Sequence, residues 1–316
     1  MTALEADGVE IRFFTWRAAL FGRYDLFHLH WPEGLTSGGG SVKGQVTYAL
    51  TRLLNARLRV TRTPVVRTLH NLRPHDADIT PRLRRVLDAF DSRTRMEIHL
   101  VPEADRGSGP PSMMIPHGSY VEPFAQYERA PSIPGRVLFF GLIRPYKGVE
   151  ALLDAFEQSP VDCELRIVGS PRDTALQERI VSAARADPRI SYTFGFVSDA
   201  DLVREVTSAQ TVVLPYRELH SSGAALVALS LQRAIVIPDG STARSLQEEA
   251  GTEWVRIFSP PFDEAALAQA ASSHQPSGAP DLSARTWARV RDAHHRAYRR
   301  ALASTQTPGG DECAEP

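Results

Sequence analysis

Apolar residues along this chain fall into two patterns: short continuous runs, and longer stretches in which they recur every third or fourth position. The first pattern reads as strands covered on both faces, the second as the helices that join them. In the first half, Val9–Phe14, Leu26–Leu29, Val65–Leu69, Ile98–Val101 and the short Met113–Ile115 predict strands. Between them, Val46, Leu50, Leu53, Leu54 and Leu58 fall at helical spacing over Val46–Leu58, and Pro81–Phe90 predicts a second helix. The second half alternates more regularly. Strands are expected at Arg136–Phe140, Glu164–Val168, Ile190–Phe194, Thr211–Pro215 and Ala234–Pro238. Helices are expected at Val149–Glu157, Thr174–Ala186, Asp199–Ala209, Gly223–Leu231 and Phe262–Ala271, with one long helix over Leu282–Leu302.

Strand–helix units of this length build doubly wound parallel sheets, so the expected class is α/β with two Rossmann-like domains. Proline and glycine crowd Gly109–Pro116 and Glu122–Gly135, which places the linker in the second stretch. The expected division is an N-terminal domain over 1–125, a second domain over 126–280, a C-terminal helix over 281–303 packing back on the first domain through Trp287, and a disordered tail over 304–316. A Rossmann-like domain usually opens with a strand, a glycine turn and a helix. Met1–Asp7 offers only the end of a helix, so Val9–Phe14 reads as strand two and the first strand is expected to be lacking. Either the chain begins late, at an internal methionine, or the domain is trimmed.

Composition narrows the function classes. Of the 316 residues, 42% are hydrophobic and 23% charged, enough for two domains with cores of their own. A net charge of −1 gives the whole chain no general attraction for nucleic acid. Two cysteines, Cys163 and Cys313, in unrelated contexts form no disulfide framework and suit a reducing cytoplasm. No apolar run approaches the roughly 18 residues that span a bilayer, so work on a lipid would be done from the inner membrane surface.

Three segments of the second half carry candidate chemistry. In Phe139-Phe140-Gly141-Leu142-Ile143-Arg144-Pro145-Tyr146-Lys147-Gly148, a strand ends in a glycine turn and two cations precede a helix. A tight strand exit lets backbone approach a diphosphate, the helix start favours an anion, and Arg144 and Lys147 supply charge where a leaving nucleotide develops it. The plainer reading is a surface turn with two solvated cations. Leu165-Arg166-Ile167-Val168-Gly169 repeats the strand and glycine turn, and Gly195-Phe196-Val197 follows the next strand. Leu214-Pro215-Tyr216-Arg217-Glu218-Leu219-His220-Ser221-Ser222-Gly223 ends in residues suited either to capping a helix or to holding a second phosphate.

In the first half, His28, His30, Trp31 and Glu33 follow one strand, and His70 and Asn71 another. Imidazole can orient a hydroxyl or take its proton, and a carboxylate with a raised pKa can do the same. Trp31 offers a flat face for stacking on a sugar. Glu33 and His30 are rival general bases, and His117 is an acceptor-side candidate that could equally be structural. His28 and His30 share a strand face and could bind zinc, but no further ligand at standard spacing supports a metal. Lys43, Arg52, Arg57, Arg59, Arg62, Arg82, Arg84 and Arg85 form a cationic face suited to anionic lipid, or simply to solvent. The glycine-rich stretch Ser37–Gly44 is expected to be a mobile loop.

These segments, in this order, resemble the GT-B glycosyltransferases. The Ser-Gly-Ala and Ala-Leu-Ser-Leu pattern near residue 223, with His28–Glu33 and Thr68–His75, is similar to bacterial exopolysaccharide transferases, the GDP-mannose:glycolipid β-mannosyltransferases of the xanthan type. The resemblance spans Val9 to about Leu302. It implies two sheets facing across a cleft and transfer of a sugar, mannose first, from a nucleotide-sugar to a lipid-linked or saccharide acceptor. It implies diphosphate binding by Arg144, Lys147, Ser222 and Gly223, and nucleoside binding by Gly141, Gly169, Phe196, Val197 and Tyr216. It implies catalytic roles among Glu33, His30 and His70, and acceptor contacts from Trp31, Asn71 and His117. No cofactor or metal is called for beyond the co-substrate. One departure stands out: retaining relatives carry two glutamates separated by seven residues, where this chain has Leu219 and Val227, with Glu218 one position out of register. Two other readings remain open, a sugar-nucleotide epimerase of the same fold and a non-catalytic nucleotide-sugar-binding protein. A hydride-transferring Rossmann enzyme does not fit, because no G-x-G-x-x-G follows a strand.

Overall fold

The computed structural model describes residues 4–5, 8–32, 41–69, 80–101, 109–219, 223–272 and 275–304. The chain divides into two compact units: unit 1 comprises 1–117 and 287–316, and unit 2 comprises 118–286.

Unit 1 runs α1 (Trp16–Phe21), β1 (Phe27–Leu29), α2 (Val42–Val60), β2 (Val65–Leu69), α3 (Pro81–Asp91), β3 (Thr94–His99) and β4 (Ser112–Met114). The strands form one parallel sheet in the order β1-β2-β3-β4. Alternation along β2 separates two cores. Val65 joins Leu54 and Leu58 of α2 and Val86 and Phe90 of α3, while Val66 joins Met96, Ile98 and the last helix. Local chemistry starts the helices: Thr15, Ser41 and Thr80 each accept a first-turn amide, and Pro81 follows Thr80 at the position where a missing N–H costs nothing. The cap at Ser41 corrects the expected loop over 37–44, because residues 42–44 are already helical.

Val9–Phe14 is not a strand. Among the described residues the run belongs to no ladder, and Phe13 and Phe14 remain 64% and 47% exposed. The third strand also starts earlier than expected, at Thr94 rather than Ile98.

Unit 2 runs α4 (Val121–Phe124), β5 (Arg136–Phe140), α5 (Val149–Gln158), β6 (Glu164–Gly169), α6 (Thr174–Ala186), β7 (Ile190–Phe194), α7 (Asp199–Ser208), β8 (Thr211–Val213), α8 (Gly223–Ser230), β9 (Ala234–Pro238), α9 (Ser241–Ala250), β10 (Val255–Phe258) and α10 (Glu264–Ala271). Its six parallel strands lie in the order β10-β9-β8-β5-β6-β7. The chain winds outward from β5 to β7, then returns to the other side of β5 through β8. Val137, Leu138, Phe139, Val212, Val213 and Ile235–Ile237 have no exposed surface, as strands covered by helices on both faces require. α9 and β10 lie outside the elements that the apolar pattern predicts. Unit 2 begins at Gly118, ahead of the proline-rich stretch, because Phe124 packs into its core and the Ser119 amide donates to Arg285 O.

The expected single helix over 282–302 is broken. A short 3-10 turn over Ser283–Arg285 ends at extended Thr286, and α11 (Trp287–Ala303) then packs on β2 and β3 of unit 1. Arg285 is buried and paired with Glu249 at 2.6 Å, which holds the turn to unit 2 while the helix belongs to unit 1. The expected disordered tail over 304–316 lies outside the described residues beyond Ser304.

Candidate functional site

In an open parallel sheet, ligands bind beyond the carboxyl ends of the strands where the winding reverses. In unit 2 that point lies between β5 and β8, and the segments leaving these strands are Gly141–Gly148 and Leu214–Leu219.

Glycines set the geometry there. Gly141, Gly148 and Gly169 have φ of 114°, 69° and 153°, a region side chains rarely adopt. A methyl group added at Gly148 would stand 1.8 Å from Pro215 O, and one at Gly169 would stand 1.7 Å from Gly141 O. Only glycine lets α5 begin against the β8 exit and the β6 turn press on the β5 turn. Hydrogen bonds fix the same contacts: the Arg217 amide donates to Tyr146 O at 3.2 Å, and the Gly141 amide to Val168 O at 2.9 Å.

Lys147 and Arg144 meet inside this frame. The Lys147 ammonium donates to the Tyr216 hydroxyl at 2.9 Å and lies 4.6 Å from the centre of that ring. Burial holds its pKa down at about 8, and the charge of Arg144 pushes the same way. The Nε–H of Arg144 is buried with no hydrogen-bond partner among the described residues. Two neighbouring cations, one desolvated and one with an orphaned donor, fit an anion. The Tyr216 ring is buried and supports Lys147.

The other predicted donor residues are placed unevenly. Gly223 opens α8, and a methyl group there would lie 3.6 Å from the Tyr120 hydroxyl, so Tyr120 is a neighbour of that helix start. Nothing in the residues around Tyr120 signalled this, since it lies far away in sequence. Ser222 lies outside the described residues. Gly195 turns back so that its amide donates to Gly169 O at 3.0 Å; Phe196 beside it is 94% exposed and Val197 packs on the core. Leu219 is buried in the core and Glu218 is exposed, so among the described residues no carboxylate fills the register of the first glutamate.

In unit 1, His30 and Trp31 follow β1, His30 partly buried and Trp31 54% exposed. His28 is held from both sides, its Nδ1 2.9 Å from the Tyr298 hydroxyl and its Nε2 2.8 Å from the Thr68 hydroxyl. Its ring lies 4.3 Å from that of His30. Burial, with a smaller contribution from His294, pushes the His30 pKa below its usual value. His294 and Tyr298, one helical turn apart on α11, thus join β1 in one cluster, a partnership invisible from positions near residue 30. His117 is half-buried at the end of unit 1. Glu33, His70 and Asn71 lie outside the described residues. Among the described residues, no three His, Cys, Asp or Glu side chains gather as a metal site, so His28 and His30 lack a third ligand there.

The cationic face is also corrected in part. Arg57 turns inward, donating to Ala19 O and Gly22 O beside the Tyr24 ring, and is only partly exposed.

Comparison with known proteins bears on the family and the fold. Residues 134–274 match the family described as "Glycosyl transferases group 1", a span that contains every donor-side residue named above. The chain is 42% identical over 302 residues to a GDP-mannose:glycolipid 4-beta-D-mannosyltransferase of Xanthomonas campestris pv. campestris, covering 94% of this chain and 85% of that protein. Among solved structures, sucrose-phosphate synthase from Thermosynechococcus elongatus is similar with a TM-score of 0.58 at 19% identity, over 92% of this chain and 74% of that one. The Anabaena HepE protein in complex with UDP-glucose is similar with a TM-score of 0.54 at 14% identity, over 82% and 74%. These two likenesses concern the fold, which is GT-B.

Proposed function

The chain belongs to the glycosyltransferase family of the Xanthomonas GDP-mannose:glycolipid 4-beta-D-mannosyltransferase, and from that premise we propose that it transfers mannose from GDP-mannose to a glycolipid acceptor. The observation that carries the donor side is the orphaned, buried Arg144 Nε–H beside the desolvated Lys147 ammonium, at the point where the sheet of unit 2 reverses. These two cations and the start of α8 hold the diphosphate in this reading, without a metal. Gly141, Gly169, Phe196, Val197 and Tyr216 surround the nucleoside.

In the transfer, an acceptor hydroxyl oxygen bonds to the anomeric carbon of the sugar. The bond from that carbon to the diphosphate oxygen breaks, and GDP leaves with the electron pair. Arg144 and Lys147 stabilise the charge that grows on it. For an inverting transfer the hydroxyl proton goes to Glu33 or His30. His30 suits the base role chemically, because burial favours its neutral, proton-accepting form. His70 contacts the donor, and Trp31, Asn71 and His117 hold the acceptor.

The acceptor would be met at a membrane surface. On α2, Val42, Val46, Leu53 and Val60 are exposed by 79%, 52%, 52% and 82%. At about 100° per residue they fall within roughly 40° of one line along the helix, with Lys43, Arg52 and Arg59 flanking it. An apolar stripe bordered by cations suits an anionic bilayer. No helix among the described residues is long and apolar enough to cross one.

The test is acceptor-dependent release of GDP from GDP-mannose, beside thermal-shift titrations with GDP, UDP, ADP and dTDP. Stabilisation by GDP alone, with turnover lost in Arg144→Ala and Lys147→Ala, supports the reading. Stabilisation by UDP instead would overturn the donor, and donor binding without turnover on any lipid-linked acceptor would overturn the transfer.

A further inference from the structure

Tyr120 lies outside every segment assigned to the donor above, yet three contacts fix it against α8. Its amide donates to the Ser230 Oγ at 2.9 Å, at the last residue of that helix. Its ring stacks on Phe124, part of the core of unit 2, with centroids 5.3 Å apart. Its hydroxyl lies at the other end of the helix, where a methyl group on Gly223 would stand 3.6 Å from it. Gly223 and Ser230 are about two helical turns apart, so they share one face of α8, and Tyr120 lies along that face.

On the premise that this site holds a nucleotide-sugar, we propose that Tyr120 is a further donor-binding residue: its hydroxyl donates a hydrogen bond to the diphosphate at the start of α8. Exposure supports the assignment. From Ala225 to Ser230 every residue of α8 is buried, whereas Gly223 is exposed, so the helix opens to a ligand at its start. Amides of a first turn have no acceptor within their own helix and favour an anion. A phosphate oxygen accepting from them at about 3 Å would come within reach of a hydroxyl placed beside Gly223.

A second observation speaks for an anion at the same end of the sheet. The strand preceding α8, β8, pairs with β5, and beyond β5 the buried Arg144 Nε–H has no partner among the described residues.

The phenol suits the part. Burial raises its pKa above the usual value, so it stays protonated and remains a donor. A neutral donor also adds a contact without a third cation beside Lys147, which burial and Arg144 already press towards the uncharged form.

Calorimetry with GDP, UDP and inorganic pyrophosphate tests the assignment on the full chain and on Tyr120→Phe. Tyr127→Phe, from the same aromatic cluster, is the control. Tyr120→Phe keeps the ring and the backbone bond to Ser230, so its melting temperature should stay within about 3 °C of the unaltered chain. Its affinity for pyrophosphate, and for the nucleotide that binds, should fall by the same factor of about ten, the effect of one hydrogen bond to a charged group. Tyr127→Phe should change neither. With tyrosine labelled at Cζ, the resonance absent from Tyr120→Phe should move when pyrophosphate is added to the unaltered chain.

Affinity in Tyr120→Phe within about twofold of the unaltered chain, with binding lost in Arg144→Ala and Lys147→Ala, would overturn this proposal and leave the donor site standing. A loss confined to the nucleotides would overturn it as well, because the hydroxyl would then serve the nucleoside. If none of the three ligands binds the unaltered chain, the donor reading falls and the role of Tyr120 falls with it.

Discussion

The two units solve the same packing problem to different degrees. Unit 2 surrounds its first strand with five others, and its central strands show no exposed surface. Among the described residues, unit 1 builds four strands, divides its apolar residues into two smaller cores and leaves a cavity beside β1. A parallel sheet is stable only when both faces and both neighbours of its central strands are covered. The candidate donor-side residues lie at the strand ends of the six-stranded sheet, where glycine contacts and backbone hydrogen bonds fix them, while His30, one candidate base, follows β1 beside the cavity.

The sharpest way to break the contrast is Gly148→Ala. Its Cβ would meet Pro215 O at 1.8 Å from a left-handed backbone, so denaturant unfolding should show a loss of about 3 kcal/mol or more. Gly135→Ala, at φ 75° but with its nearest neighbour at 3.5 Å, should cost only about 1 kcal/mol. Equal losses would mean the close approach at Gly148 is not rigid.

Next in size are Arg144→Ala and Lys147→Ala. Each removes a charge-assisted contact, so affinity for GDP by calorimetry should fall about 10- to 100-fold while the fold is kept. A fall of less than threefold in both would move the phosphate site elsewhere.

The pH dependence of binding is a smaller effect. Bound anion favours the charged Lys147, whose free pKa is about 8. Complex and free protein therefore differ in protons bound as pH rises through 8, and affinity should decline there by up to about tenfold per pH unit. The decline should vanish in Lys147→Ala. Stability of the free protein has the opposite sign. Because the folded pKa lies below the unfolded value of 10.5, the penalty of burying the charge is relieved as pH rises from about 8 to 10.5.

Unit 1 should respond most modestly. Tyr298→Phe removes one hydrogen bond to His28 and should cost about 1 kcal/mol. Burial also lowers the pKa values of His30 and His294. Their contribution to stability is complete above about 6.5 and is lost as pH falls below it. Near-neutral tryptophan fluorescence that stays unchanged down to pH 5 would show that these rings are solvated.

Much of unit 2 was legible because its signals are local. β5, β7 and β9 coincide with their apolar runs, and Ser198 and Asp173 cap helices where the pattern starts them. The α9–β10 pair escaped notice because Ser241–Ala250 carries few apolar residues and Val255–Phe258 only a short run. Gly141, Lys147 and Gly148 were legible as a turn with cations. That Lys147 would rest on Tyr216, 69 positions away, was not.

The order of apolar runs, the glycines and the two cations determined by themselves that this chain would wind parallel sheets and place a glycine turn with Arg144 and Lys147 after β5. Those features act within a few residues, through φ preferences, caps and periodic burial. Tertiary structure alone decided that Gly148 would press on Pro215, that Arg57 would turn inward, and that α11 would lend Tyr298 to His28. It also decided that Val9–Phe14, with a strand's alternation, would form no strand. A strand is defined by its neighbour's hydrogen bonds, and no pattern within one segment supplies the neighbour.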